Sequence, residues 1–217
     1  ALIWLHGNSC ATCDVTPSSN AVSPMAETPH CDAPPLALTM GEPAGVGGEL
    51  SLRAWATARD QTGPFFAIDD PARLAALAER LGGGIKVEEI AAPAEAATVF
   101  ARALPVLAEP LAAPVEPGKP DTVNAGAVVN SIERATRLAL DGTAAGLVTN
   151  PIQKSVLYAA GFEHPGHTEF VAKLCGDVEP VMMLACEALR AVPVTVHVSL
   201  RQAVDSLSTE TIVNKGR

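Results

Sequence analysis

The sequence predicts an α/β fold with a mainly parallel sheet, and three observations support this fold class. Short apolar runs typical of buried strands alternate with helical segments along most of the 217-residue chain. Hydrophobic residues make up 48% of the chain, which is enough to bury a substantial core. Aromatic residues make up only 4%, a composition that suits helices layered on parallel strands better than an aromatic-rich β-sandwich.

The first 34 residues carry Pro, Ser, Asn, Thr and Cys without hydrophobic periodicity, and we interpret residues 1–34 as a disordered or foreign leader. Cys10 and Cys13 form a lone CxxC pair within it. A zinc or redox motif needs a second ligand pair or a βαβ setting, and the surrounding sequence supplies neither. The folded region is therefore predicted to occupy residues 35–217.

Strands and helices alternate in the first half of this region. The predicted elements are a strand at 36–40, a helix at 49–58, a strand at 65–69, a helix at 71–81, a strand at 85–90 and a helix at 93–104. Asp70 can cap the second helix and Pro71 suits its first turn, while the glycines at 82–84 end it.

A proline-rich connection at 105–121 separates the two halves. Its prolines argue against a regular helix or a central strand, so we expect a semi-rigid link between lobes or an excursion with one edge strand. The elements predicted beyond it are a helix at 122–141, a strand at 145–149, a helix at 168–176, and buried strands at 180–184 and 192–198.

Charge and cysteine usage restrict the class of partner. The net charge is −9 and no run of Lys or Arg occurs, which argues against nucleic acid or an anionic membrane as the main partner. An anionic small substrate remains compatible, because its site needs only a few local cations and backbone N–H groups. The five scattered cysteines fit a reducing cytoplasm, and Cys175 and Cys186 are expected to be buried as small hydrophobic residues.

The segment "LALTMGEPAGVGGEL" places a glycine-rich turn between a strand and a helix start. Gly41, Gly45 and Gly47 could let the backbone approach an anion at the helix N-terminus. The segment matches neither GxGxxG nor the P-loop pattern. A tight turn that needs glycine for its backbone angles is the alternative, and the spacing alone favours it.

Two further segments offer polar side chains for a small anionic ligand. Lys154 follows the predicted strand at 145–149, at the sheet edge where ligands of open α/β folds bind, although a solvated lysine is an equal alternative. In "HPGHTEF", Gly166 lets the chain turn so that His167 and Thr168 begin a helix, where both can reach an anion, although a lone histidine at such a place is more often structural.

His197 interrupts the apolar run "VPVTVHV". A histidine in a buried strand needs a partner for each ring nitrogen, and a metal ion is one such partner. A catalytic metal site needs about three protein ligands, and no nearby HxH or acidic cluster supplies the others.

Taken in order, "LTMGEPAGVGGEL", "LVTNPIQKSVLYAAGF", "PGHTEF", "VMMLA" and "VTVHVSL" closely resemble the 4-hydroxythreonine-4-phosphate dehydrogenases of pyridoxal phosphate biosynthesis, over roughly residues 36–212. The resemblance implies a three-layer α/β/α two-lobed fold similar to isocitrate and isopropylmalate dehydrogenases. It also implies a homodimer whose active site is shared between subunits.

The resemblance further implies a reaction and its cofactors. NAD, or alternatively NADP, would oxidise the hydroxyl of 4-hydroxythreonine 4-phosphate, and decarboxylation would give 3-amino-2-oxopropyl phosphate. One divalent metal ion, such as Zn, Mg, Co or Mn, would assist. His167 and Thr168 match the family's substrate-binding pair, Lys154 matches a lysine near the substrate, and His197 matches the first of three metal-binding histidines.

The sequence departs from the family beyond His197. The NPHAGE-like and YHDQG-like segments with the other two metal histidines do not occur in it. We therefore expect the two-lobed fold to be incomplete at the C-terminus and this chain alone to be inactive. The alternatives are a paralogue acting on a threonate or erythronate phosphate, a non-catalytic remnant that binds a phosphorylated ligand, and a phosphate acyltransferase of related fold.

Overall fold

The structure is a computed structural model that describes residues 2–3, 33–186, 188–196 and 198–216. The chain divides into two units, Ala1–Cys175 and Gly176–Arg217. Residues 4–32 of the predicted leader, including Cys10 and Cys13, lie outside the described residues. Among the described helices, none is long and apolar enough to cross a membrane.

The first unit is built on a six-stranded sheet with the strand order β1-β6-β2-β3-β5-β4. The strands are β1 Leu2–Ile3, β2 Leu36–Thr39, β3 Phe65–Asp69, β4 Val87–Ile90, β5 Leu104–Ala108 and β6 Leu147–Val148. All neighbours pair in parallel except β1, which is antiparallel to β6. This architecture confirms the predicted α/β class with a mainly parallel sheet.

Six helices accompany this sheet in the described part of the first unit. They are α1 Gly47–Ala58, α2 Pro71–Arg80, α3 Ala96–Phe100, α4 Ala125–Leu140, α5 Lys154–Ala159 and α6 His167–Leu174. The predicted cap of α2 is confirmed, because the Asp70 carboxylate accepts a hydrogen bond from the Arg73 backbone N–H at 2.9 Å.

Two hydrophobic clusters lie on opposite faces of the sheet, because side chains alternate along a strand. Phe66 and Ile68 of β3 join a cluster with residues of α4 and α6. Ala67, between them, joins the other cluster with Leu52 of α1 and Leu74 of α2. Helices therefore cover both faces of the sheet.

The expectation that prolines exclude a central strand at 105–121 was wrong for its first residues. β5 begins at Leu104 and lies between β3 and β4. Pro105 is its second residue, and β5 pairs with β3 only from Val106 onwards. The N–H that Pro105 lacks would therefore lie just before the hydrogen bonds to β3 begin. On the side of β4, the Leu104 N–H donates to the carbonyl of Lys86, the residue before that strand, at 2.8 Å.

The second unit contains short elements: β7 Leu184–Ala185, β8 Arg190–Ala191, α7 Leu200–Ser206 and α8 Thr209–Gly216. The predicted buried strands at 180–184 and 192–198 are not formed by the residues described there. β7 pairs only with β8 among the described strands, and a buried strand needs a neighbour on each side. Apolar side chains such as Val181, Met183 and Val196 therefore stay exposed.

The two cysteines in the described part of the chain differ from their prediction. Cys175 is half-buried, and burial raises the pKa of its thiol. Cys186 is exposed rather than buried, and so are both residues of β7, which it follows.

Candidate functional site

Buried polar residues gather where the parallel strands end. Each of them is a polar residue at or just beyond the end of a strand and is at most 8% exposed: Thr39, Glu42, Asp69, Glu109, Thr149 and Asn150. Ligands of open parallel sheets bind outside this carboxyl edge. The edge is therefore where the candidate site is built.

The glycine-rich turn is packed against the segment that follows β6. Gly41 has φ +71°, and a Cβ there would lie 2.7 Å from both the Asn150 Cβ and the Pro151 carbonyl oxygen. A Cβ at Gly47 would lie 2.8 Å from the Met40 carbonyl oxygen, and one at Gly45 would lie 3.2 Å from that of Glu42. These contacts favour glycine because protein atoms lie close to where each Cβ would be. Anion binding by this turn stays a prediction.

Lys154 is the first residue of α5 and lies beside the start of α6. Its Nζ atom is 3.6 Å from the position that a Cβ of Gly166 would occupy. Gly166 is buried and its backbone is extended, whereas the Lys154 side chain is exposed. The Lys154 ammonium therefore lies next to the start of α6, and the Glu169 Oε2 atom is 3.5 Å from the same Cβ position. The ammonium and the helix N-terminus favour an anion there, whereas the carboxylate disfavours one.

His167 opens α6 and contributes a neutral imidazole. Its Nε2 atom is buried and has no hydrogen-bond partner among the described residues. Burial is the largest cause that lowers the pKa of His167 to about 4, and the charge of Lys154 acts in the same direction. The ring is therefore uncharged at neutral pH and can either donate or accept a hydrogen bond there.

The N-terminus of α6 has no side-chain cap, and the Glu169 carboxylate lies in its first turn. Gly166 is the N-cap residue, so no side chain caps the helix, and Thr168 beside it is exposed. The first backbone N–H groups of a helix have no partner within the helix and attract an anion. Lys154, His167 and Thr168, predicted separately from two segments, are thus brought to one place.

His197 lies outside the described residues, so its position and role as a metal ligand stay a prediction. Within the described ranges, no group of three His, Cys, Asp or Glu side chains is arranged to hold a metal ion. The described residues alone do not form a catalytic metal site.

An ion pair that the sequence analysis missed braces the glycine-rich turn. Arg73 on α2 contacts the Asp69 carboxylate at 2.6 Å, and its Nη1 atom donates to the Pro43 carbonyl at 3.0 Å. Burial raises the pKa of Asp69 to about 6, against the opposing effect of Arg73. The spacing of an acid and an arginine four residues apart, across a helix start, was the available signal.

Two cavities adjoin the turn. One of about 520 Å³ lies between the turn, α2 and residues 111–117, and the other of about 330 Å³ is lined by Glu42, Lys119 and Asp121 among others. The described part of the 105–121 connection thus forms a wall at the sheet edge.

A family model and the similar curated proteins agree on the family to which the chain is related. The family model of the pyridoxal phosphate biosynthetic protein PdxA matches residues 60–217. Two similar curated proteins, from Caulobacter vibrioides and Methylorubrum populi, are each named 4-hydroxythreonine-4-phosphate dehydrogenase. The Caulobacter protein is 48% identical, and the match covers 84% of this chain and 55% of that protein. The Methylorubrum protein is 49% identical, and the match covers 86% of this chain and 55% of that protein.

Solved structures agree with these sequence matches. The crystal structure of 4-hydroxythreonine-4-phosphate dehydrogenase from Klebsiella pneumoniae is 31% identical, with a TM-score of 0.72 over 83% of this chain and 56% of that one. The chain therefore spans about half the length of the relatives that it matches.

Proposed function

Because the chain belongs to the family of the pyridoxal phosphate biosynthetic protein PdxA, we propose that it forms part of an NAD-dependent 4-hydroxythreonine-4-phosphate dehydrogenase. The secondary alcohol would lose a hydride to NAD and a proton to a base, giving a β-keto acid. The bond to the carboxylate would then break, releasing carbon dioxide, and protonation of the remaining carbon would give 3-amino-2-oxopropyl phosphate.

A divalent metal ion would supply Lewis-acid assistance in such a reaction. The described residues contain no ligand set for it, so we assign no step to a metal, and His197 remains the one proposed ligand. We likewise assign no described residue to NAD. A homodimer with a shared active site and a cytoplasmic location belong to the same proposal.

The observation that supports a substrate-binding role is the arrangement of Lys154 and His167 at the uncapped N-terminus of α6. The ammonium and the helix N–H groups favour an anionic group of the substrate, against the opposing charge of Glu169 in the first turn of α6. The neutral imidazole of His167, whose Nε2 atom has no partner in the described structure, can bond a hydroxyl as donor or acceptor. The Thr168 hydroxyl offers a further polar contact at the same helix start.

Calorimetric titration of the 217-residue chain tests this role. 4-Hydroxythreonine 4-phosphate should bind more tightly than unphosphorylated 4-hydroxythreonine. Lys154→Met should weaken binding of the phosphorylated ligand roughly tenfold, because a hydrogen bond from a charged group is lost. Lys173→Met, which changes an exposed lysine in the last turn of α6, is the matched control and should leave affinity for the phosphorylated ligand unchanged. Equal effects of the two substitutions would refute the site.

A second candidate function is ligand binding without turnover. It needs only the polar groups at the start of α6, Lys154 and His167 among them, and no metal ligand. We accordingly propose that the 217 residues by themselves form no NADH from the substrate. Full turnover by this chain in the presence of NAD and a divalent metal would refute that proposal. Activity on threonate phosphate or erythronate phosphate, but not on 4-hydroxythreonine 4-phosphate, would instead identify a paralogue.

A further inference from the structure

Asn150 lies at the centre of the hydrogen bonds that join the glycine-rich turn to the segment leading to Lys154. It is 6% exposed and immediately follows Thr149, just beyond the end of β6. Its Nδ2 atom donates to the Thr39 carbonyl at the end of β2 and to the Ser51 hydroxyl of α1, each at 2.9 Å. Its backbone N–H donates to the Thr39 hydroxyl at 3.2 Å.

The contacts around Asn150 continue in both directions along the chain. The Ser51 hydroxyl donates in turn to the Gly47 carbonyl at 3.0 Å, which ties the first turn of α1 into the network. Next to Asn150, the Pro151 carbonyl accepts the Glu42 backbone N–H at 2.8 Å. The turn therefore encloses Asn150 and Pro151 from one side and fixes where residues 150–151 lie.

The absence of side chains at Gly41 and Gly47 gives Asn150 its place. A Cβ at Gly41 would be 2.7 Å from the Asn150 Cβ, and one at Gly47 would be 3.1 Å from it. The two glycines leave room for Asn150, and three hydrogen bonds, two from its side-chain amide and one from its backbone N–H, fix its position. Such a buried polar network defines one arrangement of the elements that it joins.

Lys154 follows Asn150 by four residues, and only Pro151, Ile152 and Gln153 lie between them. Gln153 makes no side-chain cap for α5, so the start of that six-residue helix is not fixed by its own cap. We propose that Asn150 is a positioning residue, which fixes the start of α5 and thereby holds the Lys154 ammonium beside the N-terminus of α6. This inference rests on the proposed binding role of Lys154.

A double-mutant cycle tests the inference, with inorganic phosphate and 4-hydroxythreonine 4-phosphate as ligands in calorimetric titrations of the 217-residue chain. The variants are Asn150→Ala, Lys154→Met and the pair together. Asn150→Ala should weaken binding roughly three- to tenfold, comparable to the loss of one hydrogen bond. If Asn150 acts through Lys154, the double variant should bind no more weakly than Lys154→Met alone.

Ser131→Ala is the matched structural control. The Ser131 hydroxyl is fully buried near the same sheet edge, where it accepts the Met40 N–H and donates to the Ile68 carbonyl. Ser131→Ala should lower the free energy of unfolding about as much as Asn150→Ala does, without changing the affinity for either ligand. Should Asn150→Ala fail to fold, Ser51→Ala removes one acceptor of the network and takes its place in the cycle.

The outcomes separate this inference from the proposed function. An effect of Lys154→Met with additive or absent effects of Asn150→Ala would overturn the positioning role alone. No effect of Lys154→Met would overturn the proposed binding site and the positioning role with it. Equal loss of affinity in Asn150→Ala and Ser131→Ala would show a general effect of destabilisation and would also overturn the positioning role.

Discussion

Arg73 holds the carboxylate of Asp69 in a two-pronged contact, with Nη2 at 2.6 and 2.8 Å from the two oxygens, and donates a further hydrogen bond to the Pro43 carbonyl. The pair therefore connects the end of β3, the first turn of α2 and the glycine-rich turn. The Asp69 side chain is 1% exposed and that of Arg73 is 12% exposed. A buried charge pair of this kind is costly to break from one side.

Arg73→Met should lower the free energy of unfolding by about 3 kcal/mol, because it leaves the Asp69 carboxylate buried without its cation. Urea unfolding followed by circular dichroism measures the change. Arg80→Met, at the other end of α2, serves as the control and should alter stability by less than about 0.5 kcal/mol. A loss of similar size in both variants would contradict the structural role of the pair.

The protonation of His167 should make stability depend on pH. Its pKa is lowered from 6.5 to about 4, so between these values the unfolded chain binds more protons than the folded one. The contribution of His167 to stability is therefore full above about pH 6.5 and is lost as the pH falls towards 4. His167→Gln should reduce the loss of stability between pH 7 and pH 4.5 in urea unfolding.

The titration of Asp69 should change the pH dependence of stability in the opposite direction to that of His167, between about pH 4 and pH 6. Its pKa is raised from 3.8 to about 6, so the folded chain binds more protons than the unfolded one between those values. Stability from this group falls as the pH rises from about 4 to 6. Asp69→Asn should therefore make the loss of stability on acidification steeper than in the unaltered chain. A shallower loss would contradict the buried position of the carboxyl group.

Gly41→Ala should destabilise the chain by about 2–3 kcal/mol, because the added Cβ would meet Asn150 and Pro151 in a residue with φ +71°. Gly126→Ala provides the matched comparison. Gly126 lies in α4 with no neighbouring atom within 4 Å of an added Cβ, so alanine there should raise stability by up to about 1 kcal/mol. Equal thermal midpoints for the two variants would show that the turn is not packed against residue 150.

The regular elements of the first unit could be predicted where apolar periodicity and punctuation agreed. Phe65–Asp69 matched its predicted bounds because an apolar run is followed there by a capping Asp and a Pro. β5 could not be predicted from the sequence. Pro105 is tolerated there because the pairing with β3 begins only at Val106, and the sequence does not show where that pairing begins. The exposed apolar run near Met183 shows that composition predicts burial only where partner strands exist.

The candidate site could be predicted as residues but not as an arrangement. Lys154 and His167 were identified from their places beside a strand and a helix. Their proximity depends on how α5 and α6 pack, which spacing does not determine. The role of Asn150 was equally hidden, because its partners Thr39 and Ser51 are about a hundred residues away along the chain.

The most direct test is a crystal structure of the chain with 4-hydroxythreonine 4-phosphate. We predict an anionic group of the ligand within hydrogen-bonding distance of the Lys154 Nζ atom and the first N–H groups of α6, and a polar ligand atom bonded to the Nε2 atom of His167. A ligand seated in the glycine-rich turn instead, with Lys154 and His167 unbound, would contradict the account.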